Sequence, residues 1–449
     1  MTATMTTIYA ARWILPVSAA PIENGAVAVE AEKIVAVGSF NEVSQKYGDA
    51  SIREFKHAAI IPGLINSHTH LELTAMRGYL ENEESNFFAW LRKLTVARLE
   101  RMTQEDILVS ATMGACEALR AGVTAVADAS DSAAMSMLAI NEVGLRGIVF
   151  QESFGPDPRL VDRQLAELKV KVLALRQNES ELVKVGVSPH APYTVCGPQL
   201  EQISDFAISE NLPLMMHAAE SAAEDLFLRE GSGIFAEGLA KRNIEWTAPR
   251  KSAIQYLRER KILETKPLLA HCVRLDDRDI EILNETGAKV AHCPKSNAKL
   301  GHGRAPFARF LDSGLSVGLG SDSVASNNTC DILEEARFAA LVARSDAAIS
   351  PADVLKAATL GGAQCFGLSG TVGELTPGAQ ADLAIIALDG PHQVPCYDPM
   401  AVLIFASSGR DVVMTVVAGK EVYRDGQVVG VDEERLKARM REIAKKLGR

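Results

Sequence analysis

No two cysteines of this sequence are spaced CxxC, and the seven that occur are an odd number. A disulfide framework and a zinc ribbon are both unsupported, which makes a reducing cytoplasm the expected compartment. No apolar run reaches the ~18 residues that a membrane span needs. The N-terminal stretch "ARWILPVSAAPIENG" follows no basic region and is interrupted by Pro16, so it does not read as an export signal. Positive charge is not in excess either: 47 Lys and Arg against 57 Asp and Glu leave a net charge of −10, and basic residues gather only in the tail "LKARMREIAKKLGR". That balance argues against a nucleic-acid partner and for a small-molecule one. No GxGxxG follows an early strand, no low-complexity segment interrupts the chain, and no P-C-x-x-C completes the formal H-x-E of His70-Leu71-Glu72, so a cytidine-deaminase type of zinc site is set aside.

What is present is a repeat of short apolar runs and helical stretches. Eight runs recur between residues 60 and 366: "IIPGLINSHTH", "VTAVADAS", "GIVFQES", "VKVGVSPHA", "PLMMHAAES", "PLLAHCV", "AKVAHCPKS" and "LSVGLGSDS". Continuous apolar strands alternating with helices imply a parallel sheet covered on both faces, and eight such units imply an α/β fold of the closed (β/α)8, or TIM-barrel, kind. The flanks differ. "GAVAVEAEKIVAVG", "ADLAIIAL" and "DVVMTVVAGKEVYRDGQVV" alternate with period two, as hairpins do. Neither end alone can bury a core, so one small β-sandwich is predicted from residues 1–60 and 367–449, with the barrel at 61–366.

Six of the nine histidines, His68, His70, His190, His217, His271 and His292, end a predicted barrel strand, as does Asp322. Barrel enzymes carry their active sites at that C-terminal face. His68 and His70, two apart on a strand, share a face and can reach one ion. In "HAAES", Glu220 follows His217 by three residues and brings a carboxylate beside the same ion, whereas Glu224 and Asp225 read as surface charges. His68, His70, His217 and Asp322 supply four donors, a set that suits one divalent ion, zinc first and ferrous iron second. His271 stands as a further ligand or as a base behind the ligands. The fourth strand ends "SPHA" with its one lysine, Lys184, near its start, so no lysine is placed to bridge a second metal. Cys272 and Cys293, each next to a strand-end histidine, are expected to face the helices and pack.

The ordered set "PGLINSHTHLE", "HAAES", "LLAHCV", "SNAKL" and "GLGSDSVASNN" resembles the amidohydrolase superfamily, and within it the mononuclear aminohydrolases that act on adenosylhomocysteine, methylthioadenosine, aminodeoxyfutalosine, guanine and triazines. The resemblance runs over nearly the whole chain. It implies His68, His70, His217 and Asp322 as metal ligands, with Asp322 and Glu220 catalytic, Glu220 the proton shuttle and His271 holding or deprotonating the attacking water. It places His190, in "SPHAPYT", against the purine. The implied activity is hydrolytic deamination of a 6-aminopurine nucleoside; the alternative is cleavage of another C–N or a C–Cl bond, as in guanine, a triazine or a cyclic amide. The ribose-binding glutamate of the adenosylhomocysteine enzymes falls on Leu99, one place from Glu100. By contrast "FFAWLRKLTVAR" and "SNAKLGHGRAP" look closer to the aminodeoxyfutalosine branch, whose substrate carboxylate would meet Arg92 or Arg98. A homo-oligomer is compatible with the sequence.

Overall fold

The computed structural model describes residues 6–448. Four strands open the chain: β1 (Thr6–Ile14), β2 (Ile22–Glu30), β3 (Lys33–Ser39) and β4 (Ser51–Pro62). Eight more follow: β5 (Leu64–Thr69), β6 (Val123–Ser130), β7 (Arg146–Ser153), β8 (Val183–Pro189), β9 (Met215–Ala218), β10 (Leu268–His271), β11 (Lys289–His292) and β12 (Val317–Leu319). Four more close the sequence: β13 (Leu383–Ala387), β14 (Val412–Val417), β15 (Lys420–Arg424) and β16 (Gln427–Val428).

Strands β5 to β8 and β9 to β12 pair in chain order, all parallel. Parallel bridges Val187–Leu214 and Thr69–Asp322 join the two sets into a ring of the TIM-barrel type. Every residue of β6 and β7 is buried, which is why these strands read as unbroken apolar runs rather than alternating ones. The ring closes tightly between β5 and β12. A Cβ at Gly320 would lie 2.9 Å from the His68 Cβ and 3.0 Å from its backbone nitrogen, so only glycine lets the end of β12 pass behind the first strand-end histidine.

Strands from the two chain ends hydrogen-bond into one eight-stranded sheet, in the order β16-β15-β14-β13-β4-β1-β2-β3, where the sequence pattern predicts a sandwich. The composite origin lies at its centre, where β4 pairs antiparallel with β13 and parallel with β1. A buried ion pair fastens the sheet to the barrel: Arg146, at the start of β7, donates from Nε and Nη2 to both oxygens of Asp382 at 2.9 and 3.0 Å. The last helix, Glu433–Leu447, leaves the sheet and packs on the segment that follows β5; Ile443 and Leu447 share an apolar cluster with Trp90 and Leu94. Arg101 donates to the Leu447 carbonyl at 2.8 Å. Among the described residues no helix is long and apolar enough to cross a membrane.

Candidate active site

The strand-end polar residues converge because each strand of a parallel barrel delivers its C-terminal end to one rim. His68 lies within β5 and His70 just beyond it, His217 in β9, His271 at the last position of β10, and Asp322 three residues past β12. One donor atom from each of His68, His217, His271 and Asp322 lies within 4.8 Å of all the others, and all four residues are buried. His70 joins them: its Nε2 lies 3.2 Å from His217 Nε2 and 3.5 Å from Asp322 Oδ1. All four residues expected as ligands therefore meet, and His271 meets them too.

The tautomers are set by the partners of the other ring nitrogen. His217 Nδ1 lies 2.9 Å from the His190 carbonyl and His271 Nδ1 2.9 Å from the Asn297 amide oxygen. Both partners only accept, so Nδ1 carries the proton and Nε2 presents a lone pair. His68 Nδ1 likewise meets the Met215 sulfur at 3.3 Å. Burial drives His68 and His217 below the ordinary imidazole range, and takes His70 down to about 4, with His68 adding to the effect, so these rings are neutral at pH 7. Asp322 is anchored on one side only: Ser296 and Ser326 donate to Oδ2 at 2.6 and 2.7 Å, leaving Oδ1 toward the histidines, 3.4 Å from His68 Nε2. Burial raises its pKa, but His68, His271 and His70 more than offset this and hold it well below the carboxylate range. The Nε2 atoms of His68 and His271 are buried without a hydrogen-bond partner. Neutral imidazoles with oriented lone pairs and one ionised carboxylate, each braced from behind, fit a divalent metal ion.

Backbone strain concentrates at this rim. Ala219, His271, Cys272 and Asp322 have φ of 52°, 73°, 49° and 55°, a region that costs a residue with a Cβ about 1–3 kcal/mol. Cys272 and Cys293 themselves are buried thiols that approach only backbone carbonyls.

Glu220 sits beside the donors. Tyr193 donates to its Oε2 at 3.0 Å, while Oε1 lies 3.8 Å from His271 Nε2 and 3.3 Å from His302 Nε2. Burial pushes its pKa up, but His271 and His302 outweigh that and keep it ionised. Glu224 corrects the sequence reading: it is no surface charge but fully buried. It accepts from the backbone nitrogens of Ala219 and Glu220 at 3.0 and 2.7 Å, which fixes the turn that presents Glu220. Burial raises its pKa to about 8.

A cavity opens above the donors, ≈ 620 Å³ when the solvent space at its mouth is counted and ≈ 70 Å³ within. His190 lines it beside Phe154, with ring centroids 4.7 Å apart, and its Nδ1 meets the Thr194 hydroxyl at 2.9 Å. The opposite wall is apolar: Leu73, Leu300 and, from helix Phe87–Val96, Phe87, Trp90, Leu91 and Leu94. The two arginines expected to read a substrate carboxylate are placed differently. Arg92 is exposed and not among the lining residues. Arg98 does line the cavity but is buried, with Nη1 3.0 Å from Glu72 and Nη2 3.2 Å from Asp131. The sequence pattern assigns no role to three residues here: Glu72, which also accepts from the Ser130 hydroxyl at 2.7 Å; Glu152, buried in the cavity with Oε1 unpartnered; and His302. Burial raises Glu152 well above the carboxylate range against the pull of Arg98. Only the strand-end position of Glu152 could have signalled it. His292, also at a strand end, lies apart and stacks on Phe307 with centroids 4.9 Å apart.

Comparison with known proteins agrees with this geometry. Residues 59–422 match the amidohydrolase family, and residues 25–50 match the imidazolonepropionase-like composite domain of bacteria. The chain is 32% identical to 5-methylthioadenosine/S-adenosylhomocysteine deaminase 1 of Syntrophus aciditrophicus, over 95% of this chain and 93% of that one. It is 31% identical to the 5'-deoxyadenosine deaminase of Methanosarcina mazei, over 96% and 95% of the two chains. A solved adenosine deaminase from Xanthomonas campestris with bound zinc superposes with a TM-score of 0.88 at 26% identity, covering 99% of each chain.

Proposed function

The chain belongs to the amidohydrolase family, and from that premise we propose that it is a metal-dependent deaminase. It hydrolyses the 6-amino group of a purine nucleoside of the methylthioadenosine, adenosylhomocysteine or aminodeoxyfutalosine type, releasing ammonia and an inosine-type product. The observation that carries this reading is the ionised Glu220 set beside four metal-donor side chains at the floor of one cavity.

His68, His70, His217 and Asp322 would hold the ion, zinc in our reading, with ferrous iron the second choice. A divalent ion so held supplies hydroxide at neutral pH by lowering the pKa of water toward ~7. His271 offers its Nε2 lone pair to the attacking water and accepts its proton. Glu220, ionised at rest, takes that proton on from His271 and delivers it to the ring nitrogen beside the attacked carbon; it then carries the second proton, from the added hydroxyl, to the departing amino group. His190 meets the purine from the wall beside Phe154. The apolar wall and the paired Arg98 favour an uncharged 5′ substituent, because among the described lining residues the guanidinium is already held by Glu72 and Asp131. Ammonia release from a panel of adenosine derivatives tests the reading, with 5′-methylthioadenosine expected among the substrates.

A further inference from the structure

Glu220 can serve as a shuttle only if its carboxylate is aimed, and the last torsion of a glutamate is broad and soft, so contacts must do the aiming. Tyr193 holds Oε2, but among the described residues no hydrogen bond holds Oε1, on the loop two residues past β9. The nearest group to Oε1 comes from elsewhere: His302 Nε2, at 3.3 Å, closer than the 3.8 Å of His271. His302 is buried, and its Nε2 makes no hydrogen bond among the described residues, so its 3.3 Å approach to Oε1 is a close polar contact that no other side chain competes for. Its loop is shaped to deliver it, with left-handed glycines on either side, Gly301 at φ 68° and Gly303 at φ 113°. Its backbone nitrogen donates at 2.9 Å to the carbonyl of Asn297, the same residue whose side chain holds His271 Nδ1. On its other side, the ring stands edge-on to Phe87, with centroids 4.8 Å apart and an interplanar angle of 89°. Phe87 opens the helix that walls the cavity.

We propose that His302 is a positioning residue for Glu220, which it aims through the close contact of its Nε2 with Oε1, and that through Phe87 it ties that aim to the packing of the wall. His302 touches neither the metal donors nor the attacked carbon; it acts through the carboxylate. The proposal rests on the deaminase reading above. Its consequence is a defect in turnover rather than in substrate binding, because a shuttle displaced by ~1 Å costs up to ~10²-fold in rate while the rest of the cavity is untouched. Glutamine can place an amide N–H near the former Nε2 position, so the conservative variant has a defined role.

The experiment compares wild type, His302→Ala, His302→Gln, Phe87→Ala and the double variant His302→Ala/Phe87→Ala, all metal-loaded, with 5′-methylthioadenosine. The expected result for His302→Ala is kcat lower by about 10- to 100-fold with KM changed less than about threefold, at full metal content. A purine analogue with a tetrahedral hydroxyl-bearing carbon at the attacked position should lose affinity by a similar factor, while the inosine-type product binds as before. His302→Gln should recover most of kcat, and the double variant should be little worse than His302→Ala alone. Unchanged kcat, a rise in KM alone, loss of metal, or additive effects in the double variant would each overturn the proposal. Should the wild type turn over no adenosine derivative, the deaminase reading falls by itself. Crystal structures then decide on His302: the proposal stands if the Glu220 carboxylate has turned in His302→Ala and kept its place in His302→Gln, and falls if it keeps its place in both.

Discussion

Arg98 donates from Nη1 to Glu72 Oε1 at 3.0 Å, and both side chains are buried in the wall of the candidate active site. Asp131 takes the other side of the same guanidinium at 3.2 Å. The cation is thus bound by the protein's own carboxylates.

Arg98→Ala should destabilise the fold, by about 3–5 kcal/mol, because it strands a buried carboxylate; Glu72 would keep only its hydroxyl and backbone donors. Chemical denaturation with folded-state activity measured alongside is the check. A variant of wild-type stability that has lost only acidic substrates would instead make Arg98 a substrate-binding residue. Arg92→Ala, on the exposed side of its helix, should leave stability and all substrates unchanged.

From the same pair follows an order of substrates. Nucleosides with an uncharged 5′ group, such as 5′-methylthioadenosine and 5′-deoxyadenosine, should exceed carboxylate-bearing ones in kcat/KM by about 10-fold or more, since an added anion here is desolvated without a free partner. Steady-state kinetics on matched nucleosides would show the reverse order if a cation were available.

Glu220→Gln should keep its metal and lose on the order of 10²- to 10⁴-fold in kcat, the usual contribution of general acid–base catalysis. Metal analysis beside kinetics separates the outcomes: a variant that sheds its ion would move Glu220 into the ligand set, and near wild-type activity would remove it from the mechanism.

Asp382→Ala should cost about 3–5 kcal/mol, because Arg146 would stay buried without its partner and the Ala418 backbone nitrogen, 2.8 Å from Asp382 Oδ1, would lose its acceptor. The midpoint of urea unfolding reads this, and the activity of the folded fraction should be unchanged.

The legible part of the site was the part tied to periodicity. His68, His70, His217 and Asp322 stand at strand ends, and a parallel barrel gathers strand ends whatever the loops do. Glu224 was misread because a glutamate early in a helix is exposed by default; its burial follows from backbone nitrogens at 219 and 220 that need an acceptor. The pairing of Arg98 leaves no mark in the sequence because its partners lie 26 and 33 residues away, and charge pairing across loops has no periodic trace. His302 was passed over for the same reason: a loop with two left-handed glycines delivers it. The single eight-stranded sheet was half legible, since period two marks strands and not the order in which they pair.

Removing the metal with a chelator should abolish activity and lower the melting temperature, and one equivalent of zinc per chain should restore both, because a ligand bound only by the folded state stabilises it. A requirement for two equivalents would contradict a site built from four protein donors around one ion.

The most direct test of the whole account is ammonia release by the zinc-loaded protein from 5′-methylthioadenosine, followed alongside the appearance of the inosine-type product. Stoichiometric ammonia and product are expected, lost in Glu220→Gln. No ammonia from any adenosine derivative, with turnover of guanine or a triazine instead, would contradict it.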